Sequence, residues 1–290
     1  INSTYEHQTS YVSKHHFSFV ESSEVMMTNI KRVQQAIVEG ETYQVNYTAR
    51  LTDNIYYPIS TLYERLTQFS NGNYTALLQT DEIQVASISP ELFFQKGQFN
   101  NVDNVIISKP MKGTMPRGKT EAEDQQYYKT LQTSSKDRAE NVMIVDLLRN
   151  DIGRISQSGS IKVYKLFFIE AYKTVFQMTS MVSGTLKINT DLTQILTSLF
   201  PCGSITGAPK LNTMKYIKQL ESSPRGIYCG AIGLLLPTED DKMIFNIPIR
   251  TIEYKYGQAI YGVGAGITID SKPKDEVNEF YAKTKILEML

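Results

Sequence analysis

A chain of 290 residues with 30 Lys and Arg against 30 Asp and Glu carries no net charge, so no long-range field draws it to nucleic acid or to an anionic membrane. No apolar run approaches the roughly 18 residues of a membrane span. Residues 1–14 lack the apolar core of a signal peptide, so a cytoplasmic protein is the expectation.

The chain begins with Ile rather than Met, and an N-terminal part is expected to be missing. Its length allows one large core or two fused ones. Two cysteines, Cys202 and Cys229, build no disulfide framework; each lies beside glycine in an apolar context and reads as a small core residue. Residues 1–20 are polar with scattered aromatics, a loop or an edge segment. The histidines there, His7, His15 and His16, are too clustered to suggest a triad.

Ser22 or Ser23 caps a helix to about Glu39, with Met26, Ile30, Val33 and Ile37 as its apolar stripe and Gly40 as its terminator. Residues 43–51 then alternate. Tyr43, Val45, Tyr47, Ala49 and Leu51 face one way; Gln44, Asn46, Thr48 and Arg50 face the other. A strand with four polar residues on one face is either exposed there or lines a polar cavity. Residues 58–69 form a short helix with Ile59, Leu62 and Leu66 inward. Strands follow at 74–79, 83–88 and 92–95, turns at Gly97 and at Asn100-Asn101, and a strand at 105–108. Thr120 caps a helix over 121–131 whose start is acidic, and Ser134 with Asp137 resembles a capping box for a helix to about Asn150. Strands at 161–169 and 174–186 precede a helix over 192–200, capped by Asp191, and another from Pro209 to Leu220. Strands at 230–237, 243–253 and 259–268 come next, and Pro273 opens a last helix to Leu290. Runs of strands separated by helices predict an α+β fold with mostly antiparallel sheets. No repeat or linker divides it, so one domain over 1–290 is expected.

Within this frame, the apolar run Val105-Ile106-Ile107 leads into Lys109-Pro110-Met111-Lys112-Gly113-Thr114. Pro110 and Gly113 end the strand, placing Lys112 on a turn at its mouth, and Gly113 lets the backbone approach a ligand closely. A lysine desolvated in such a place becomes a nucleophile or base; taken alone, Lys112 reads as an ordinary exposed lysine. Residues 201–210, P-C-G-S-I-T-G-A-P-K, form a second unusual turn, and Gly262-Val263-Gly264-Ala265-Gly266 a third that lacks dinucleotide spacing. Asp137 and Glu140 share one helix face at i, i+3, and Glu276, Glu279 and Lys283 share another. Two helices that present carboxylate pairs to one cavity suit Mg²⁺, a hard ion that takes oxygen ligands and keeps several waters. Each pair taken alone reads as a solvated face. There is no Cys/His metal spacing.

Together and in this order, these motifs resemble the chorismate-utilising enzymes, from about Gly40 to the C-terminus. The resemblance implies two facing, mostly antiparallel sheets with helices outside and the active site in the cleft between. G-E-T-Y-Q-V-N at 40–46 is then the first site-lining strand. The implied cofactor is Mg²⁺, with Glu140 and Glu279 as nearest ligands and Glu276 and Asp137 acting directly or through water. Arg250 matches the arginine for the pyruvyl carboxylate, beside backbone N–H groups of Gly264, Ala265 and Gly266. Thr206 and Gly207 match another substrate-contacting turn. Gly113 and Thr114 flank the lysine, and Lys283 matches a basic residue one turn beyond the second acidic pair. Glu91, in Ser89-Pro90-Glu91, matches an acid/base glutamate that protonates the departing C4 hydroxyl; alone it reads as a turn-exposed carboxylate.

The lysine in P-M-K-G-T points to the branch that serves 4-aminobenzoate and folate synthesis. The implied reaction joins chorismate and ammonia, supplied by a glutaminase subunit, to give 4-amino-4-deoxychorismate, with Lys112 as nucleophile. Relatives that make anthranilate typically carry a small residue at this position; anthranilate formation is the alternative reading. Isochorismate and salicylate synthases use a basic lysine where this chain has Gln44, and an amide does not deprotonate water. A subunit that only binds chorismate would be expected to lack the nucleophile or a ligand, and none is lacking. One departure stands out: many relatives carry His where Gln177 stands, and an amide cannot become cationic.

Overall fold

The computed structural model describes residues 16–290 apart from 55–56, 70–71, 239–240, 256 and the side chain of Met289; His7 and His15 lie outside the described residues. Of the polar start, β1 (Ser18–Phe19) is an edge strand on β2 (Gln44–Asp53). Between them α1 (Ser23–Val38) starts where the Ser22 hydroxyl accepts the Val25 N–H, and Met26, Ile30 and Val33 form its buried stripe.

Val45, Tyr47, Ala49 and Leu51 on one face of β2 enter a core shared with α1, α2 (Ile59–Phe69) and α7 (Pro273–Lys283). Full burial of each such aliphatic or aromatic side chain contributes about 1.5–3 kcal/mol. The opposite face, Gln44, Asn46, Thr48 and Arg50, is buried too, none more than 8% exposed. A face both polar and buried lines a polar interior, which decides between the two readings of this strand. Tyr43, 68% exposed, stands just outside it.

The first sheet runs β1-β2-β14-β13-β4-β3, formed with β3 (Tyr74–Gln79), β4 (Gln84–Ser89), β13 (Thr251–Lys255) and β14 (Gln258–Ile267). A two-residue strand, β10 (Gly207–Ala208), adds to β2. The second sheet runs β11-β12-β5-β6-β9-β7, from β5 (Leu92–Phe99), β6 (Val102–Lys109), β7 (Met111–Pro116), β9 (Val175–Thr185), β11 (Ile232–Leu235) and β12 (Met243–Asn246), with β8 (Lys162–Ala171) also on β9. The described strand pairings are antiparallel. The second sheet's core packs Phe93, Phe94, Ile106 and Val182 against Ile144, Leu148 and Ile152 of α4 (Ser135–Ile155) and Ile195 and Leu199 of α5 (Leu192–Leu199). Cys202 and Cys229 are buried in it, as their surroundings predict. α3 (Glu121–Thr133), capped by Thr120, covers the Ile169 and Met178 end. α6 (Lys210–Leu220) packs on β2 through Leu220. Two facing antiparallel sheets with helices outside is therefore the observed architecture. Among the described residues no helix is long and apolar enough to cross a membrane.

Several elements differ from the sequence-based expectation, each for a local reason. The run 243–253 is not one strand: β12 belongs to the second sheet and β13 to the first. The break falls at Pro248, which has no N–H for a ladder, and at Arg250, whose φ is +51°. This crossing takes the chain from the second sheet to the first, with Arg250 at the break. Gly97 lies within β5 at a register irregularity rather than on a turn. The Ser134 hydroxyl accepts the Asp137 N–H, but α4 continues past Asn150 to Ile155. The last helix ends at Lys283, followed by a 3₁₀ turn at Lys285–Met289. Pro209 caps α6 rather than opening its first turn.

Candidate active site

Lys112 does not sit on a turn beyond a strand end. The chain resumes after Pro110 as β7, paired with β9, and the register slips between Met111↔Thr179 and Thr114↔Gln177. Lys112 and Gly113 therefore form a β-bulge, a device that re-aims a side chain out of the regular pleat. Gly113 takes φ +86°, and a Cβ there would stand 2.9 Å from Cβ and Cγ of Asp137 on α4. Gln177 holds the bulge from the neighbouring strand: its Nε2 donates to the Gly113 carbonyl at 2.8 Å and its Oε1 accepts the Thr114 hydroxyl at 2.9 Å. Both ends of this amide are thus occupied by the lysine's own loop. Gly113→Ala is expected to cost about 3 kcal/mol, from left-handed backbone strain and overpacking against Asp137. Urea denaturation checks this; an unchanged midpoint would contradict it.

The aim of the bulge is visible at the Lys112 tip. Nζ donates to the Ser204 carbonyl at 3.2 Å. A Cβ built on Gly266 would strike the Gln44 amide and lie 3.6 Å from Lys112 Nζ, so strands of both sheets meet here and only glycine leaves room. Both polar atoms of the Gln44 side chain are buried with no hydrogen-bond partner among the described residues.

Glu91 is the acid of this cluster. It lies where β4 hands over to β5, its N–H donating to Ser89 Oγ at 3.1 Å and its carbonyl accepting the Ile247 N–H at 3.2 Å. At 4% exposure it is not the solvated turn carboxylate its local sequence resembles. Burial pushes its carboxyl up to about 7, against the Ser204 hydroxyl, the Lys112 charge and the Met111 N–H, which pull it down. Its Oε1 has no partner among the described residues. A buried carboxyl that changes protonation near neutrality is suited to general acid work.

The acidic pairs approach from two helices. Glu140 on α4 is held above the ordinary carboxylate range chiefly by burial; Lys112 and Lys136 oppose this, and Asp137 and Glu276 add to it. Glu276 on α7 is buried and also raised by burial, accepts the Ser271 hydroxyl at 2.7 Å, and feels Glu279. Carboxylates of the two helices therefore share one field. Glu279 is half exposed and paired with Lys283 at 2.6 Å. Among the described residues no three acidic, His or Cys groups are gathered to metal-ligand distance. The donor chemistry nonetheless fits Mg²⁺, which is commonly held by one or two carboxylates with waters and substrate oxygens completing the shell.

The remaining predicted residues fall around this cluster. Beyond Tyr261, β14 parts from β13 and pairs only with β2, so alternate backbone groups along 262–267 face an edge that no described strand covers. Lys283 Nζ donates to the Gly264 carbonyl at 2.6 Å, so this lysine braces the glycine-rich strand as well as Glu279. Ala265 turns its side chain into the first core and pairs with Tyr47 of β2, so the open edge is offered by Gly264 and Gly266. Arg250 is half-buried with no ion pair among those described, and its charge reaches Tyr261 on β14. Thr206 and Gly207 are fixed by β2: the Thr206 carbonyl accepts the Asn46 N–H at 2.8 Å, and the Thr206 hydroxyl donates to the Cys202 carbonyl at 2.9 Å. Sequence reasoning missed Ser204, whose carbonyl accepts Lys112 Nζ. Its only signal was its place inside the P-C-G-S-I-T-G turn.

Residues 2–289 match the family of chorismate binding enzymes. Aminodeoxychorismate synthase component 1 of Bacillus subtilis (strain 168) is 39% identical over 254 residues, 88% of this chain and 53% of that protein. Anthranilate synthase component 1 3 of Haloarcula marismortui is 34% identical over 260 residues, 89% of this chain and 50% of that protein. The chain thus spans about half the length of these relatives. The crystal structure of anthranilate synthase component I from Streptococcus pneumoniae TIGR4 superposes with a TM-score of 0.84 at 29% identity, covering 95% of this chain and 60% of that one.

Proposed function

The chain belongs to the chorismate binding enzymes, and from that premise we propose that it aminates chorismate at C4, turning chorismate and ammonia into 4-amino-4-deoxychorismate and water. The observation that carries this reading is Lys112 on its bulge, hydrogen-bonded to the Ser204 carbonyl, with its charge reaching the buried carboxyl of Glu91. Relatives at near 40% identity named for this activity support it. The Haloarcula relative keeps anthranilate formation as the alternative.

The residues divide the work as follows. Arg250 and the free backbone edge at Gly264 and Gly266 take the pyruvyl carboxylate, with Thr206 and Gly207 walling the ring. Glu140 and Glu276, with Glu279 one turn on, would hold Mg²⁺, which supplies charge neutralisation at the ring carboxylate. The neutral Lys112 amine attacks C2; the N–C2 bond forms, the ring double bonds shift, and the C4–O bond breaks. Glu91 gives its proton to the departing hydroxyl, which leaves as water. Ammonia then adds at C4, the double bonds shift back, and the C2–N bond breaks to release Lys112; the proton shed by the new amine restores Glu91. The covalent step splits one difficult displacement into two and shields C2 from ammonia. Gln44, an amide, leaves no base to activate water at C2 for isochorismate or salicylate. A glutaminase subunit is the source of ammonia in this reading, and ammonium salts replace it in a test tube.

Incubation of the purified chain with chorismate, Mg²⁺ and ammonium, followed by product separation, tests the proposal. The expected product is one that a lyase converts to 4-aminobenzoate. Anthranilate as the main product would overturn it.

A further inference from the structure

We infer that Lys283 is a cation shared between the metal site and the substrate site. It ties Glu279 to the glycine-rich strand until Glu279 turns to Mg²⁺, and its ammonium then passes to a substrate carboxylate. This rests on the reading above, in which Glu279 belongs to the metal set and the edge at Gly264 and Gly266 takes the pyruvyl carboxylate.

Lys283 closes the last turn of α7, and its ammonium makes two short contacts. Nζ lies 2.6 Å from Glu279 Oε1 and donates to the Gly264 carbonyl at 2.6 Å. The first contact engages a carboxylate of the acidic set. The second lies on the open edge of β14. Gly264 stands opposite Thr48, whose N–H goes to Glu221 Oε1 at 3.1 Å instead of joining the ladder, so the Gly264 backbone groups point away from β2. The lysine tip thus borders the carboxylate site, and its charge also reaches Glu276.

Burial decides what can move. Val277 and Phe280 seat α7 in the first core, and the buried Glu276 accepts the Ser271 hydroxyl at 2.7 Å. The Lys283 carbonyl accepts the Tyr261 hydroxyl at 3.4 Å, which ties the lysine's backbone to β14. The two paired side chains, by contrast, are 45% exposed at Lys283 and 48% at Glu279. An ion pair so well solvated is weak, and exchanging its partners costs little. A dication attracts the Glu279 carboxylate more strongly than an ammonium at the same separation. Once Glu279 is a metal ligand, Lys283 has lost its counter-charge beside the strand that reads the carboxylate, and a substrate anion replaces it. While the pair is closed, substrate meets a neutral pair there. The chain therefore offers this positive charge to substrate only when the metal set is engaged.

Calorimetric titrations of the purified chain test this, with Mg²⁺ alone and with chorismate alone in the presence of a chelator. Wild type, Lys283→Met, Glu279→Gln and the double variant are compared. Lys283→Met should bind Mg²⁺ about threefold tighter than wild type, because Glu279 has no pair to give up, and should bind chorismate more weakly. Glu279→Gln frees the lysine without any metal, so it should bind chorismate about threefold tighter than wild type. In the Lys283→Met chain the same substitution should bring a much smaller gain, because there is no ammonium to release. An equal gain in both chains would mean that Glu279 acts only by its charge at a distance, and would overturn the assignment. So would Lys283→Met that binds Mg²⁺ no tighter than wild type. Wild type that binds neither Mg²⁺ nor chorismate overturns the functional reading, and this assignment with it.

Discussion

Lys112→Ala is expected to lower formation of 4-amino-4-deoxychorismate by about a thousandfold or more, a loss of about 4 kcal/mol in transition-state stabilisation. The substitution removes the proposed nucleophile while leaving its framework intact. Gln177 bonds the Gly113 carbonyl and the Thr114 hydroxyl, not the lysine, so the bulge is kept. Lys112 is only half-buried and its one described hydrogen bond is to a carbonyl, so stability should change little. Removal of the amine also uncovers C2, and a trace of anthranilate is the expected side product. Lys112→Arg keeps the positive charge without a usable nucleophile and should be as inactive. Product formation measured by chromatography with excess ammonium checks both variants; activity within tenfold of wild type would remove Lys112 from the mechanism.

Glu91→Gln should lose activity by about a hundredfold or more and gain stability. The sign follows from the direction of the shift. A carboxyl raised from its ordinary 4.5 to about 7 by burial prefers the neutral form in the folded protein. Its favourable contribution is complete below about pH 4.5 and is lost as pH rises through about 7. At pH 8 the folded wild type must keep a buried carboxylate with one oxygen unpaired, at a cost of about 3 kcal/mol relative to acid conditions. Glutamine has nearly the same shape and does not ionise. The variant is therefore expected to be more stable than wild type at pH 8 by up to about 3 kcal/mol, the difference closing near pH 4. Urea melts at the two pH values measure this, and a variant less stable at pH 8 would contradict the account of Glu91. Stability surrendered for a working protonation state is common at active sites.

What the sequence made legible was local or carried by motif order. The alternation in β2, the caps at Ser22, Thr120 and Asp191, and the two facing sheets correspond to the structure. Periodicity told which residues of β2 share a face. It could not tell that the polar face is buried, because that depends on segments such as Thr206 and Arg225 far along the chain. The bulge at Lys112 was hidden for the same reason: register is set by β9, some sixty residues away, and not by Pro110 or Gly113 alone. Ser-Pro-Glu at 89–91 has the chemistry of a surface turn, and only the 3₁₀ turn around Ser204 and the bulge above it make Glu91 a buried acid. At 243–253 the apolar alternation ran straight through the change of sheet. Pro248 was the one residue there that could have warned of it. For Gln177, comparison with a cationic histidine pointed to lost proton chemistry, whereas its amide serves the backbone that presents the lysine.

The most direct test of the central claim is to trap the first step. Wild type and Lys112→Ala are each incubated with chorismate and Mg²⁺ without any ammonium source, quenched in acid, digested and sequenced by mass spectrometry. In wild type, the peptide holding Met111-Lys112-Gly113 should carry an adduct of chorismate less one water, localised to Lys112, and added ammonium before the quench should discharge it. The variant should carry none. Wild type that forms 4-amino-4-deoxychorismate with ammonium, yet never shows an adduct on Lys112 without it, would contradict the covalent role assigned to this lysine.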